Sequence, residues 1–193
     1  MRRSISRSPI RSVAATFRCS CRPSRARVTG AASNRASCVV SRASEDAAQR
    51  LFERAGPLLD RLGNEGPFRD AAAVLERARS ILESLSEAEQ IAVINAHPRI
   101  GERPEKVSAL SFKEQGYERD TTSPDVFLRL ARLNEEYEQK FGFRFVVFVN
   151  RRSKESLIPV LEARLRGTRD EERRTALREI LAIAEERLKR EEG

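Results

Sequence analysis

The 193-residue sequence predicts an all-α fold, a single compact multi-helix bundle of about seven to eight helices with one short extended segment near residues 143–149. Three observations predict it. Apolar residues recur at three- and four-residue spacing through almost the whole body of the chain. Helix-start signatures, a small polar residue followed three positions later by glutamate, precede several of these stripes. Only residues 143–149, Phe-Arg-Phe-Val-Val-Phe-Val, carry strand character, and no second run is available to pair with them.

The elements follow in order. Ser44 can cap a first helix with Glu45 and Asp46 in its first turn. Leu51, Phe52, Ala55, Leu58, Leu59 and Leu62 carry it to Gly63. Asp70 caps a second, with Val74, Leu75, Ala78, Ile81, Leu82 and Leu85 on one stripe. Ser86 and Glu89 form a capping box for a third, which must end near Asn95 or Ala96 because Pro98 disfavours helical geometry at His97. Residues 98–107 read as a loop and 109–117 as a short helix. Ser123-Pro124-Asp125 opens a long helix closed by Gly142. Ser153 caps the next, which Gly167 ends. Thr168 and Glu171 open the last, running to about residue 190 with Leu177, Ile180, Ile183, Ala184 and Leu188 as its stripe.

Charge divides the chain at about residue 44. Residues 1–44 hold ten arginines and no Asp, Glu or Lys. Removing those ten from the 37 basic residues leaves 27 against all 29 acidic ones, a net charge of −2 for residues 45–193. An Arg-rich, Ser-rich, acid-free leader has the composition of an organellar transit peptide, for a mitochondrion or a chloroplast, with cleavage expected near 38–44. The other reading is a basic arm for nucleic acid or anionic lipid; Phe17 is its only aromatic, so it lacks the stacking residues of a single-strand binder. The C-terminus, Arg190-Glu191-Glu192-Gly193, is not a peroxisomal signal.

The composition of residues 45–193 restricts the chemistry. All three cysteines lie at 19, 21 and 38, so a body without the leader has no thiolate metal site, cysteine nucleophile or disulfide. A single histidine excludes a multi-histidine metal centre. No apolar run approaches the roughly 20 residues a membrane-spanning helix needs. There is no Gly-rich phosphate loop or dinucleotide fingerprint.

Three places can carry chemistry. His97, the sole histidine, stands where a helix gives way to a proline-bearing loop, and an imidazole there can give or take a proton near neutrality. A lone histidine is more often a satisfied or surface residue, and position alone does not decide between the two. Ser111, Glu114 and Gln115 offer a hydroxyl, a carboxylate and an amide within one turn, a set suited to an amide-rich ligand. Ser-x-x-Glu is also a capping box, but that leaves Gln115 unexplained. Arg187 falls on the apolar stripe of the last helix, either snorkelling at the core edge or meeting a carboxylate in a pocket.

Ala96-His97-Pro98, Ser111-x-x-Glu114-Gln115, Leu133-Asn134-x-x-Tyr137, Phe141-Gly142-Phe143-x-Phe145-Val146-Val147 and Ile183-x-x-x-Arg187-Leu188, in that order, resemble the 2-oxo-4-hydroxy-4-carboxy-5-ureidoimidazoline (OHCU) decarboxylase family over about residues 48–190. The resemblance implies an all-α homodimer that needs no cofactor and no metal. It implies decarboxylation of OHCU to (S)-allantoin and carbon dioxide in urate degradation. It maps catalytic roles onto His97, Glu114 and Arg187. It maps substrate contacts onto Pro98, Ser111, Gln115 and the extended run Phe145, Val146, Val147, Phe148 and Val149. In that scheme protonated His97 is the general acid, Glu114 orients it or raises its pKa, and Arg187 with backbone N–H groups stabilises developing negative charge. The partner is a small ureidoimidazoline acid, with no nucleic acid and no membrane. Arg99-Ile100-Gly101 and Gly116-Tyr117-Glu118-Arg119 depart from the family pattern, which keeps open a lyase acting on a related ureido or imidazoline acid, or a non-catalytic helical binding domain.

Overall fold

A computed structural model describes residues 33–102, 104–117 and 122–192. Among them are eight α-helices: α1 Ser33–Phe52, α2 Gly56–Glu65, α3 Ala71–Ser84, α4 Glu87–Asn95, α5 Ala109–Glu114, α6 Pro124–Phe141, α7 Lys154–Arg164 and α8 Arg169–Glu192. A 3₁₀ turn lies at Pro104–Lys106, and no strand occurs among the described residues. The all-α expectation holds. No described helix is long and apolar enough to cross a membrane.

Local chemistry sets most helix starts as the sequence implies. The Asp70 carboxylate accepts from the Ala73 N–H at 2.7 Å. Ser86 and Glu89 satisfy each other's orphan N–H groups in a full capping box, and Thr168 and Glu171 do the same at the start of α8. Ser153 caps α7. Gly142 closes α6 at φ +80°, a left-handed geometry that glycine adopts without a Cβ penalty.

The first expected helix is two. α1 ends at Phe52, Glu53 adopts a positive φ of 45°, and α2 starts at Gly56-Pro57. Proline lacks an N–H and crowds the preceding turn, so a continuous helix is blocked there although the apolar stripe runs on from Leu51 to Leu62. α1 also begins at Ser33, so Ser44 is a buried interior residue and not a cap, and the boundary expected at residue 44 falls inside a helix. Residues 1–32 of the leader lie outside the described residues.

The core joins faces of α1 to α4 and α6 to α8, and α8 packs against α1, α3, α4 and α6. The segment 143–149 runs through this core as extended chain. Phe143 and Phe145 are 1% exposed and meet the Tyr137 ring edge-on, at 6.0 and 5.3 Å between centroids. A buried polar chain fixes the segment further on. Tyr137 donates to Glu172 at 2.7 Å, Arg164 pairs with the same carboxylate, and Arg164 Nη1 donates to the Val146 carbonyl at 3.3 Å. Burial and the Glu172 carboxylate both push the Tyr137 phenol up, so it stays a donor.

Candidate active site

A cavity of about 530 Å³ opens where the end of α4, α5, the extended segment and the end of α8 meet. His97, Pro98 and Ile100 come from the α4 side. Ser111, Lys113 and Glu114 come from α5, and Gln115 and Gly116 from the turn that follows it. Val146, Val147, Phe148 and Val149 come from the extended segment, followed by Asn150, Arg151 and Arg152 of its turn. Ile183, Glu186 and Arg190 come from α8.

His97 follows the last turn of α4. Its N–H donates to the Ile94 carbonyl at 3.1 Å, and its ring Nδ1 lies 3.2 Å from the Val93 carbonyl. A carbonyl only accepts, so Nδ1 carries the proton and Nε2 of the neutral ring keeps a lone pair. The side chain is partly open to the cavity but otherwise enclosed by protein. Burial pushes the His97 pKa down to about 4, against the Val93 bond that favours the cation; the nearby Arg187 cation lowers it further and Glu53 opposes. The ring is therefore neutral at pH 7 before substrate binds.

Glu114 does not orient His97. Its carboxylate faces Arg187, which donates from Nε at 2.6 Å and from Nη2 at 2.9 Å. Arg187 is 5% exposed and does not line the cavity. It also donates to the Leu51 carbonyl at 2.9 Å and to Glu53 at 3.4 Å. Two carboxylates thus neutralise this arginine, and it closes the C-terminus of α1 while fixing Glu114 from behind. Its spacing on α8 leaves open a snorkelling arginine or one that meets a carboxylate in a pocket; in the fold it is buried, and the carboxylates it meets are the protein's own Glu114 and Glu53. At the rim of the cavity on α8 stands Arg190 instead, exposed and paired with Glu186.

Ser111 lines the cavity at 4% exposure. The hydroxyl that caps α5 is that of Ser108, which accepts from the Ser111 N–H at 3.1 Å, so the capping-box explanation of Ser111 falls away. Gln115 spends most of its amide on the protein. Its Oε1 accepts from the Gly101 N–H at 3.1 Å and the Tyr117 hydroxyl at 3.2 Å, and Nε2 donates to the Arg99 carbonyl at 3.2 Å. One N–H remains for a ligand, so Gln115 chiefly staples the loop after Pro98. Lys154, buried with Nζ 4.1 Å from the Tyr117 ring centre, donates to the Gln115 carbonyl at 2.9 Å and holds the end of α5 in place. The same loop is pinned from α6. Arg99 grips Glu138 with two bonds of 2.7 and 2.6 Å, and Asn134 donates to the Ile100 carbonyl at 3.0 Å.

Of the extended run, Val146 to Val149 line the cavity, whereas Phe145 lies in the aromatic core. The Phe148 N–H is spent on Glu179 at 2.7 Å, and Arg152 donates to the Phe148 and Val149 carbonyls. Among the described residues the Val147 N–H and carbonyl have no protein partner, which leaves them for a ligand. Sequence reasoning missed Ile100, Ile183, Glu186 and the turn at 150–152. Asn150 and Arg151 sit at φ 46° and 58°, a left-handed turn that asparagine tolerates but arginine does not signal. It also passed over Arg144, the unassigned position in Phe143-x-Phe145.

No group of three or more His, Cys, Asp or Glu among the described residues is arranged to hold a metal ion. Apolar walls, one neutral imidazole, a hydroxyl, a half-buried carboxylate and unspent backbone groups fit a small polar organic acid that exchanges a proton with the ring.

Comparison with known proteins points one way. The family model described as OHCU decarboxylase matches residues 40–189. A 2-oxo-4-hydroxy-4-carboxy-5-ureidoimidazoline decarboxylase of Haloferax volcanii is 31% identical over 143 residues, 74% of this chain and 85% of that protein. A uric acid degradation bifunctional protein of Bacillus sp. strain TB-90 is 30% identical over 139 residues, 72% of this chain and 28% of that longer protein. The crystal structure of an OHCU decarboxylase in the presence of (S)-allantoin superposes with a TM-score of 0.61 at 24% identity, covering 74% of this chain and 94% of that one. An (S)-allantoin synthase superposes at 0.56 and 18% identity, covering 75% and 48%. At these identities the two structures speak to the fold.

Proposed function

The chain belongs to the OHCU decarboxylase family, and from that membership we propose that it converts OHCU to (S)-allantoin and carbon dioxide, with His97 moving the proton and no cofactor taking part. The observation that carries the reading is the neutral imidazole at the wall of the cavity, its Nδ1–H committed to Val93 and its Nε2 left as a base. Carbon 4 of the substrate bears a hydroxyl and a carboxylate together. Nε2 accepts the hydroxyl proton as the bond to the carboxylate breaks. The freed electron pair moves into the ring to join carbons 4 and 5, and the ring nitrogen formerly double-bonded to carbon 5 takes a proton from solvent. The hydroxyl oxygen becomes the carbonyl of the product. His97, now protonated, returns its proton to carbon 5 from the one face it occupies, which sets the S configuration. His97 is thus base first and general acid second, and the apolar walls of Ile100, Val147 and Ile183 strengthen both transfers by excluding water.

In this reading Ser111, the remaining Gln115 N–H and the Val147 backbone meet the ureido and ring amide groups, with Pro98 and Val146 to Val149 shaping the wall. Glu114 acts on the cavity with its charge already balanced by Arg187. Residues 1–44 direct the enzyme to an organelle; the support is ten arginines with no acidic residue. The test of the function uses the full chain with OHCU generated in place from urate by the two preceding enzymes. Circular dichroism then follows the product. Uncatalysed protonation shows no face preference and yields racemate, so a rapid S-handed signal that depends on this protein supports the proposal. A signal no faster with the protein than without it overturns it.

A further inference from the structure

Arg144 is the sole charged side chain in the run 141–149, Phe-Gly-Phe-Arg-Phe-Val-Val-Phe-Val. Its neighbours Phe143 and Phe145 are sunk in the core, so its backbone cannot drift. From that fixed position it makes three hydrogen bonds to the end of α4 and to His97 beyond it. Its N–H donates to Asn95 Oδ1 at 2.9 Å. Its guanidinium Nη1 donates to the Asn95 carbonyl at 3.0 Å and to the His97 carbonyl at 2.9 Å.

The end of α4 needs such a partner. A helix leaves its last carbonyls unsatisfied, and many helices close on a left-handed glycine that returns N–H groups to them. α4 has none: its C-cap is Ala96 at φ −69°, and Pro98 brings no N–H. Arg144 supplies the missing donors from 47 residues away, and its cation sits where the negative end of the helix dipole favours one. The His97 residue is then held at three points: N–H to Ile94, ring Nδ1 to Val93, carbonyl to Arg144. Two of these belong to α4 and would fray with its last turn. The third ties that turn to the aromatic core.

We propose that Arg144 is a positioning residue that holds the His97 ring in its Nδ1-protonated arrangement at the cavity wall, an inference that rests on the reading of His97 as the proton-moving group only for its effect on turnover. His97 is the only histidine in the chain, so one imidazole signal in the nitrogen NMR spectrum of the full-length protein reports its tautomer directly. In Arg144→Met the bond to Val93 loosens, and the spectrum shifts from a single Nδ1–H form toward the mixed tautomers of a free imidazole. Arg144→Lys, whose single ammonium reaches one carbonyl, restores part of the wild-type signal.

Turnover of OHCU by Arg144→Met falls by about tenfold to a hundredfold in kcat, the scale on which small misplacements act, with KM changed far less. An unchanged His97 spectrum in a folded Arg144→Met protein overturns the positioning role, whatever the activity. Should that variant not fold, Arg144→Lys and Asn95→Ala are read in the same way, and a wild-type His97 signal in both overturns the role. A changed spectrum with wild-type kcat leaves Arg144 as the holder of the ring and contradicts the proton-moving assignment of His97.

Discussion

Replacing Glu114 with glutamine removes one negative charge from a largely buried pair and leaves the shape nearly unchanged. The Arg187 guanidinium is 5% exposed and loses the partner that receives it at 2.6 and 2.9 Å. Breaking a buried pair from one side costs about 3–5 kcal/mol, because the other charge stays buried without its counterion. Here Glu53 at 3.4 Å and the Leu51 carbonyl at 2.9 Å remain, and the glutamine oxygen can still accept. The expected loss is therefore at or below the lower end of that range, about 2–3 kcal/mol. For a domain of this size that lowers Tm by roughly 5–10 °C. Urea unfolding of wild type, Glu114→Gln, Arg187→Met and the double variant closes a thermodynamic cycle. The double variant should be less destabilised than the sum of the singles, since it leaves no arginine without its carboxylate. Additive losses, or a Glu114→Gln protein as stable as wild type, would refute the pairing and return Arg187 to the substrate.

Other consequences follow from the same geometry. His97 has a folded pKa of about 4 against 6.5 for the free side chain, so the unfolded chain takes up the proton first as pH falls. Its contribution to stability is complete above pH 6.5 and is lost between about 6.5 and 4; chemical denaturation of wild type and His97→Gln across that window should converge toward low pH. In kcat/KM the free enzyme should keep full activity from about pH 8 to below about 6, with an acid limb near 4; a limb at 6.5 contradicts the desolvated neutral ring. Gly101 sits at φ +75° with an added Cβ only 3.2 Å from Leu130 Cδ1, so Gly101→Ala should cost about 1–2 kcal/mol by strain and lower both Tm and turnover. A fluorescent protein carrying residues 1–44 should enter an organelle, and a diffuse distribution counts against the leader.

What could be read from the sequence was what is local. Asp70, Ser86 with Glu89, Ser153, and Thr168 with Glu171 mark helix starts because a side chain and a backbone N–H two or three residues away satisfy each other. His97, Pro98, Ser111, Glu114, Gln115 and Val146 to Val149 reach one cavity, and they were named from motifs whose order the fold preserves. The break between α1 and α2 is hidden because the hydrophobic stripe continues through it, and Pro57 is the one signal the sequence offers. The partners of Arg187 could not be read at all. Glu114 lies 73 residues away, and spacing along one helix says which face an arginine occupies, not what waits there. The charge of His97 is not legible in the sequence for a related reason: it depends on burial and on the Val93 carbonyl, neither visible before the loop is folded. Arg144 left one trace, a lone cation inside an apolar extended run.

The central claim is that His97 Nε2 takes and returns the proton in a cavity that faces one side of the substrate. The most direct measurement is the initial rate of (S)-allantoin formation by full-length His97→Ala and His97→Asn, from OHCU generated in place and followed by circular dichroism. The account predicts a loss of about 10²–10⁴-fold in kcat, the range a positioned acid–base group contributes, with product accumulating mainly as racemate. S-handed product formed by folded His97→Ala at close to the wild-type rate would contradict it.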